Sequence, residues 1–345
     1  MQRTLISSRV EAYSTEEQVL FAAKSFLIDR VVPATEKIVL PSVKKPEGTI
    51  NISIGSRPEI IAASPNGFKS KLKVKLKGVV LALQDDLVFD FRMHSPQNWS
   101  HALNLHLPFA LHLIDLMKRN GRESAPVFIF PENTPNYIRV IFEKFGVRCE
   151  YFDGQVEAIH AHIDREDWHL IQIGRRQWLQ DFFSKESDVK TLILDGEQGA
   201  LALPRKVFLS RRKTRHILNE DEVYALLKQQ GFERIYPEEL APLDQIRLFQ
   251  QAEAIVAIHG AGLAPVIFKY GDSLRVIEIF SPGHMSEHFR AICSLNGVPW
   301  VGVRGVIEPK HVKEANKDIK RFLKFSLDGF RVEIESLKKA LAYFG

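Results

Sequence analysis

The sequence predicts an α/β protein, and three observations carry that reading. From residue 206 onward, short apolar runs alternate with amphipathic helical stretches. The connections between them are short, the pattern of a parallel, doubly wound sheet. One apolar run, "AIVAI", ends on His259 and two glycines, the kind of strand end where open α/β sheets take ligands.

The elements follow in order. The first forty residues read as polar and irregular. "SKLKVKLKG" (Ser70–Gly78) alternates strictly and reads as a half-exposed strand. "GVVLAL" and "DLVFDF" continue as strands. A helix follows over Trp99–Met117, which Pro108 kinks or restarts. "PVFIF" is a buried strand and "PNYIRVIFEKFG" a helix stopped by Gly146. Strand-like runs lie around 148–152, 157–163 and 169–173, then a short helix "QWLQDFF" and a strand "VKTLIL" (Val189–Leu194). "DGEQGALALPRK", with two glycines and a proline, is the linker candidate. Beyond it come strand "KVFLS" and helix "NEDEVYALLKQQG", with Asn219 as N-cap, Glu222 as its capping-box partner and Gly231 as its stop. Then strand "RIYP", helix "LDQIRLFQQAE", strand "AIVAI", helix "LAPVIFKYG", strand "LRVIEIF", helix "SEHFRAICSLNG" and strand "PWVGV". "IESLKKALAYFG" is the last helix. The expected organisation is a domain over 1–200, a second over 201–310, and a segment 311–345 whose helix packs back on the first.

Composition bounds the function. The 345 residues are 45% hydrophobic and 26% charged, as in a soluble globular protein. No apolar stretch is long enough to span a bilayer, and the N-terminus lacks the apolar core of a signal peptide. Two cysteines make neither a disulfide framework nor a zinc site, which points to a reducing compartment, the cytosol. A net charge of +5 suits anionic ligands or an acidic membrane surface. No basic stripe interleaved with aromatics suggests nucleic acid.

The turn His259-Gly260-Ala261-Gly262-Leu263 has two readings. Glycines there can serve turn geometry alone, or they can let an anion approach free N–H groups at a helix start. "SRRKTR" (Ser210–Arg215) follows a strand and places Arg211 and Arg215 near the same sheet end, where guanidinium groups suit a diphosphate; the alternative is a solvated charge run. Glu278 sits inside the apolar run "LRVIEIF" and must be paired, with a ribose diol or with a neighbouring Arg. His259 is either a ligand donor or a satisfied core histidine. A nicotinamide-dinucleotide site is the rival reading: Glu278 has suitable spacing, but Pro265 stands where the third glycine belongs.

The run from Phe208 to Phe268, with "VIEIFSP" after it, closely resembles glycosyltransferase family 61. The shared elements are Ser210-Arg211, Arg215, Asn219-Glu220, Gly231-Phe232, Gln245, His259 to Leu263 and Glu278. "QNWSHALNLHLP" matches the family's Asn-aromatic-x-His segment more loosely, and Ala264-Pro265 stands where the family often has Thr-Asn. The resemblance, of the bacterial surface-polysaccharide type, implies a GT-B-like arrangement: two Rossmann-like doubly wound domains facing across a cleft. It implies an inverting transferase without a bound metal or other cofactor. Its donor would be a nucleotide sugar, UDP-linked, and its acceptor a glycan or lipid-linked hydroxyl. The location implied is cytoplasmic, or peripheral at the inner face of the membrane. Donor contacts then fall to Arg211, Arg215, His259, Gly260, Ala261, Gly262, Leu263 and Glu278, with Glu278 on the ribose. The acceptor base would come from the N-terminal domain, as His101, with His94, His106 and Glu132 open. A non-catalytic scaffold of a polysaccharide-assembly complex is the other alternative.

Overall fold

The computed structural model describes residues 3–22, 25–27, 30–32, 37–61, 80–185, 191, 203–315, 317–318 and 323–344. The strand expected over Ser70–Gly78 lies outside them, as do Val189–Leu194 apart from Thr191, and residues 195–202 of the expected linker. The chain divides into two compact units, Met1–Tyr13 with Lys45–Asp195, and Ser14–Lys44 with Gly196–Gly345. Each combines parallel strands with helices, so the class is α/β.

The sheet of the second unit runs Glu233–Ile235, Lys206–Leu209, Ala254–Ile258, Arg275–Phe280, Trp300–Arg304, Gln18–Ala22, Lys37–Leu40. The first six are parallel and the last is antiparallel to its neighbour. Its central strands are continuous β-branched and aromatic runs because both their faces are buried. One face carries Val256, Ile258, Ile277, Ile279, Val301 and Val303, packed with Val223 and Leu227. Leu337 and Ala340 of the last helix, Ile334–Ala342, join this same core, where they meet Val19 and Phe21 of the strand Gln18–Ala22 from the first half of the chain.

Two of these strands come from the first forty residues, which are therefore not irregular. Val19, Leu20, Phe21 and Ala22 are buried, and they pair with Trp300–Arg304. Their partner is remote in sequence, so no local alternation betrays them.

Most other elements of this half lie where the sequence puts them, with two corrections. Asn219 does not cap the helix Glu220–Gln229 with its side chain. Its Nδ2 donates to the Val332 carbonyl and its Oδ1 accepts from the Val332 N–H, both at 2.9 Å. The helix expected over "LAPVIFKYG" is a 3₁₀ helix, Ala261–Phe268, with Pro265 inside it. Proline lacks the N–H that an α-helical ladder needs.

The first unit has a mixed sheet in the order Thr4–Val10, Gly48–Ile54, Gln155–Ile163, Val80–Asp90, Val127–Phe130, Cys149–Tyr151. The first two junctions are antiparallel and the last three parallel. The described part of "GVVLAL", from Val80, and "DLVFDF" as far as Asp90 form one strand, Val80–Asp90, with a register shift between Leu83 and Leu87. The strand expected at 169–173 and the short helix after it are one helix, Trp168–Lys185. A Cβ on Gly174 would lie 2.3 Å from the Trp178 ring, so this glycine is a packing residue and not a break. Pro108 acts as expected: α-helix Trp99–His101, a π turn Ala102–His106, then α-helix Leu107–Arg119 with the proline in its first turn. Phe91 centres an aromatic core with Phe109, Phe128, Phe130 and Trp168. Among the described residues no helix is long and apolar enough to cross a membrane.

Candidate active site

The strand Ala254–Ile258 delivers His259 to its carboxyl end, and the chain turns at Gly260 with φ 155° and ψ −172°. That region is essentially open to glycine alone. A Cβ on Gly260 would lie 2.1 Å from Nη1 of Arg211. Gly260 is bare because a guanidinium lies across it. Gly262 is less constrained, since its Cβ would meet Pro237 Cγ at 3.0 Å. The Leu263 N–H donates to the Gly260 carbonyl at 3.0 Å. The N–H groups of Gly260, Ala261 and Gly262 have no partner among the described residues, as expected at a helix start.

Arg211 is set by a chain of polar groups that starts at a buried serine. Ser210, fully buried, accepts the Arg211 N–H at 2.6 Å and donates to Glu220 at 2.8 Å. The other oxygen of Glu220 accepts from Arg234 at 2.9 Å and from the Tyr236 hydroxyl at 3.3 Å. Arg211 then donates through Nη1 to the His259 carbonyl (3.1 Å) and through Nη2 to Thr214 Oγ1 (3.1 Å). Arg215, at φ 58°, is held through Nε by the Ser326 carbonyl at 2.7 Å and reaches the same His259 carbonyl at 3.3 Å. Neither guanidinium is ion-paired with a carboxylate among the described residues. Burial lowers both pKa values, and at Arg215 the charge of Arg211 lowers it further. Two cations and three N–H donors thus share one strand end with no carboxylate hydrogen-bonded to them among the described residues, although the charge of Glu238 is felt at Arg211. That set suits an oxyanion.

His259 and Glu278 are brought together, though not as the sequence reading has it. His259 Nδ1 and Glu278 Oε1 are 2.5 Å apart, and Trp300 Nε1 donates to Glu278 Oε2 at 2.9 Å. Glu278 is 0% exposed. Both oxygens are occupied by protein donors, so the carboxylate has no face for a ribose. The same fact removes the acid on which a nicotinamide site would depend. Beside His259 lies His284, with ring centroids 4.9 Å apart. Burial pushes the His284 pKa down to about 4, helped by Arg215 and His259, so the ring is neutral. The sequence reading missed Trp300 and His284. An indole in a buried run needs an acceptor, and Glu278 was the one buried acid already in view.

The model of the glycosyltransferase 61 family matches residues 71–277, more than half of the 345-residue chain. The chain belongs to the glycosyltransferase 61 family. A beta-1,2-xylosyltransferase of Oryza sativa subsp. japonica is 29% identical over 128 residues, which are 37% of this chain and 22% of that protein. The alignment therefore spans about a fifth of that relative's length.

The family 61 match takes in His101, Arg211, Arg215 and the His259–Leu263 turn, and ends one residue before Glu278. His101 lies in the first unit, at the end of the helix Trp99–His101 and exposed to solvent. Its Nδ1 is 2.8 Å from the His94 carbonyl, an atom that can only accept. Nδ1 therefore carries the proton, and Nε2 of the neutral ring keeps its lone pair. His106 is fully buried between the carbonyls of His101 and Met93, and burial lowers its pKa to about 4. His94 adopts φ 60° and stacks on Trp168 at 4.2 Å. Of the four candidate bases, His101 and Glu132 are solvent-exposed. Among the described residues no group of three or more His, Cys, Asp or Glu is placed to hold a metal ion.

Proposed function

We propose that this family 61 chain is an inverting glycosyltransferase that takes a sugar from a nucleoside-diphosphate donor, UDP-linked, to a hydroxyl of a glycan or lipid-linked acceptor. One observation carries the reading. Arg211, Arg215 and the free N–H groups of Gly260, Ala261 and Gly262 converge at a strand end with no carboxylate paired to them. The donor diphosphate lies there.

In the reaction the acceptor oxygen attacks the anomeric carbon while the bond from that carbon to the diphosphate breaks. The electron pair leaves on the phosphate oxygen, and the growing negative charge is met by fixed guanidinium and N–H donors. Those five groups supply the positive potential that a divalent ion supplies elsewhere, so the proposal needs no metal. The acceptor proton goes to Nε2 of His101, whose Nδ1 is already committed to the His94 carbonyl. A GT-B arrangement, with the second unit as donor side and the first as acceptor side, belongs to the same proposal. So do a role in surface-polysaccharide synthesis and a place at the cytoplasmic face of a membrane.

The test is a thermal-shift screen of the full chain against nucleoside mono- and diphosphates and their sugars. A ligand at 100 times its Kd raises stability by about 2.7 kcal/mol. Stabilisation by uridine diphosphate, and less by uridine, supports the reading. No shift with any nucleoside diphosphate refutes it.

A further inference from the structure

We infer that Glu278 and Trp300 are positioning residues for His259: they hold its imidazole proton on Nδ1 and leave Nε2 as the ring nitrogen offered to a ligand. The inference rests on the donor site proposed above.

The sheet builds a niche for this arrangement. Laterally paired residues on neighbouring strands point to the same face, and so do residues two apart. Glu278 pairs with Ala257 on one side and Gly302 on the other. His259 is two residues beyond Ala257, and Trp300 two before Gly302, so all five share the face opposite the aliphatic core. Ala257 and Gly302 leave the carboxylate room between the two rings. A Cβ on Gly302 would meet Leu20 at 2.5 Å and the Trp300 ring at 2.8 Å.

A carboxylate with 0% exposure is costly unless both oxygens are hydrogen-bonded. Trp300 Nε1 is only a donor, and it takes Oε2 at 2.9 Å. Oε1 is left to His259 Nδ1 at 2.5 Å, a contact that requires a proton between them. Trp300 thereby fixes which oxygen and which direction Glu278 presents, and Glu278 fixes the tautomer and rotation of His259. The ring is packed by Phe280 at 5.2 Å and Phe289 at 5.6 Å. Its hydrogen bond to Glu278 is the single one described for the ring among the described residues. Nε2 thus points away from the buried acid, on the residue whose carbonyl gathers Arg211 and Arg215. The charged and titratable groups around the pair are Arg211, Arg215 and His284, with Arg290 and Cys293 on the helix packed over Glu278. A carboxylate that served packing alone would leave the tautomer of His259 without consequence for ligand binding.

The experiment is long-range ¹H–¹⁵N NMR of the histidine rings in the full chain, with His259→Gln to assign the His259 signals. It is paired with calorimetric titration of uridine diphosphate. The wild type shows a protonated Nδ1 across neutral pH. Glu278→Gln mixes the two tautomers and weakens uridine diphosphate by about 10- to 100-fold, the worth of one charge-assisted hydrogen bond. Trp300→Phe, which keeps the packing, gives a smaller change in the same direction and decides the matter if Glu278→Gln does not fold. A wild-type ring protonated on Nε2 alone overturns the inference, as do variants that fold with unchanged tautomer and affinity. If the wild type binds no nucleoside diphosphate, the donor reading fails, and the tautomer measurement still judges the positioning claim on its own.

Discussion

Replacing Gly260 by alanine tests two properties of one atom position. The backbone angles there, φ 155° and ψ −172°, lie in a region that costs a non-glycine residue about 1–3 kcal/mol. The added Cβ would also lie 2.1 Å from Arg211 Nη1, so the guanidinium must leave its seat on the His259 carbonyl. At about 2–4 °C per kcal/mol for a unit of this size, the strain alone lowers Tm by about 2–12 °C. The displacement adds a loss of affinity for uridine diphosphate. The two effects separate in a double-mutant cycle with Arg211→Ala. In the Arg211→Ala background the clash is gone, so Gly260→Ala keeps only its backbone cost and weakens the nucleotide no further. Scanning calorimetry and titration calorimetry on the four proteins give the cycle. A Gly260→Ala protein with full stability and affinity, or effects that add in both measurements, refutes the reasoning.

Four further outcomes follow from the same geometry. Arg211→Ala lowers kcat by about 10²- to 10³-fold in a donor-turnover assay, and Arg211→Lys recovers only part, because an ammonium lacks the planar fork. His101→Gln lowers turnover by about 10²- to 10⁴-fold while uridine diphosphate affinity, read by calorimetry, stays unchanged. Turnover survives EDTA, whereas loss on chelation with recovery on adding Mg²⁺ or Mn²⁺ contradicts the metal-free proposal. Burial pushes His106 and His112 down to about 4, so between about 6.5 and 4 the unfolded chain binds protons that the folded one refuses. The stability of the first unit is therefore full above about pH 6.5 and falls as the pH drops towards 4, by up to about 3 kcal/mol per histidine. His106→Gln moves the acid-unfolding midpoint to lower pH, and an unmoved midpoint in circular dichroism counts against the assignment.

What the sequence reveals depends on how local its causes are. The strands and helices from Lys206 to Arg304 are legible because the inner parallel strands, Lys206–Leu209, Ala254–Ile258, Arg275–Phe280 and Trp300–Arg304, are mainly apolar runs bounded by turn residues. The strand Gln18–Ala22 is not, because its reason to exist is a partner strand at the other end of the chain. Helix Trp168–Lys185 misleads because Gly174 and the apolar run before it imitate a strand end, while its glycine answers to the Trp178 ring. At the site, the residue types and their convergence on one strand end are legible, but the pairings are not. Glu278 reads as a ribose acid until the registers with Ala257 and Gly302 place it beside Trp300 and His259. Gly260 reads as space for a phosphate, and its space belongs to Arg211.

The central claim is that Arg211, Arg215 and the turn from Gly260 to Gly262 form the seat of a nucleoside diphosphate. Titration calorimetry of uridine diphosphate into the full chain, in EDTA, compared with Arg211→Ala, tests it most directly. The account predicts saturable 1:1 binding without metal that weakens at least about tenfold in the variant, the loss of one charge-assisted contact. No binding to the wild type, or equal affinity in a folded Arg211→Ala protein, would contradict it.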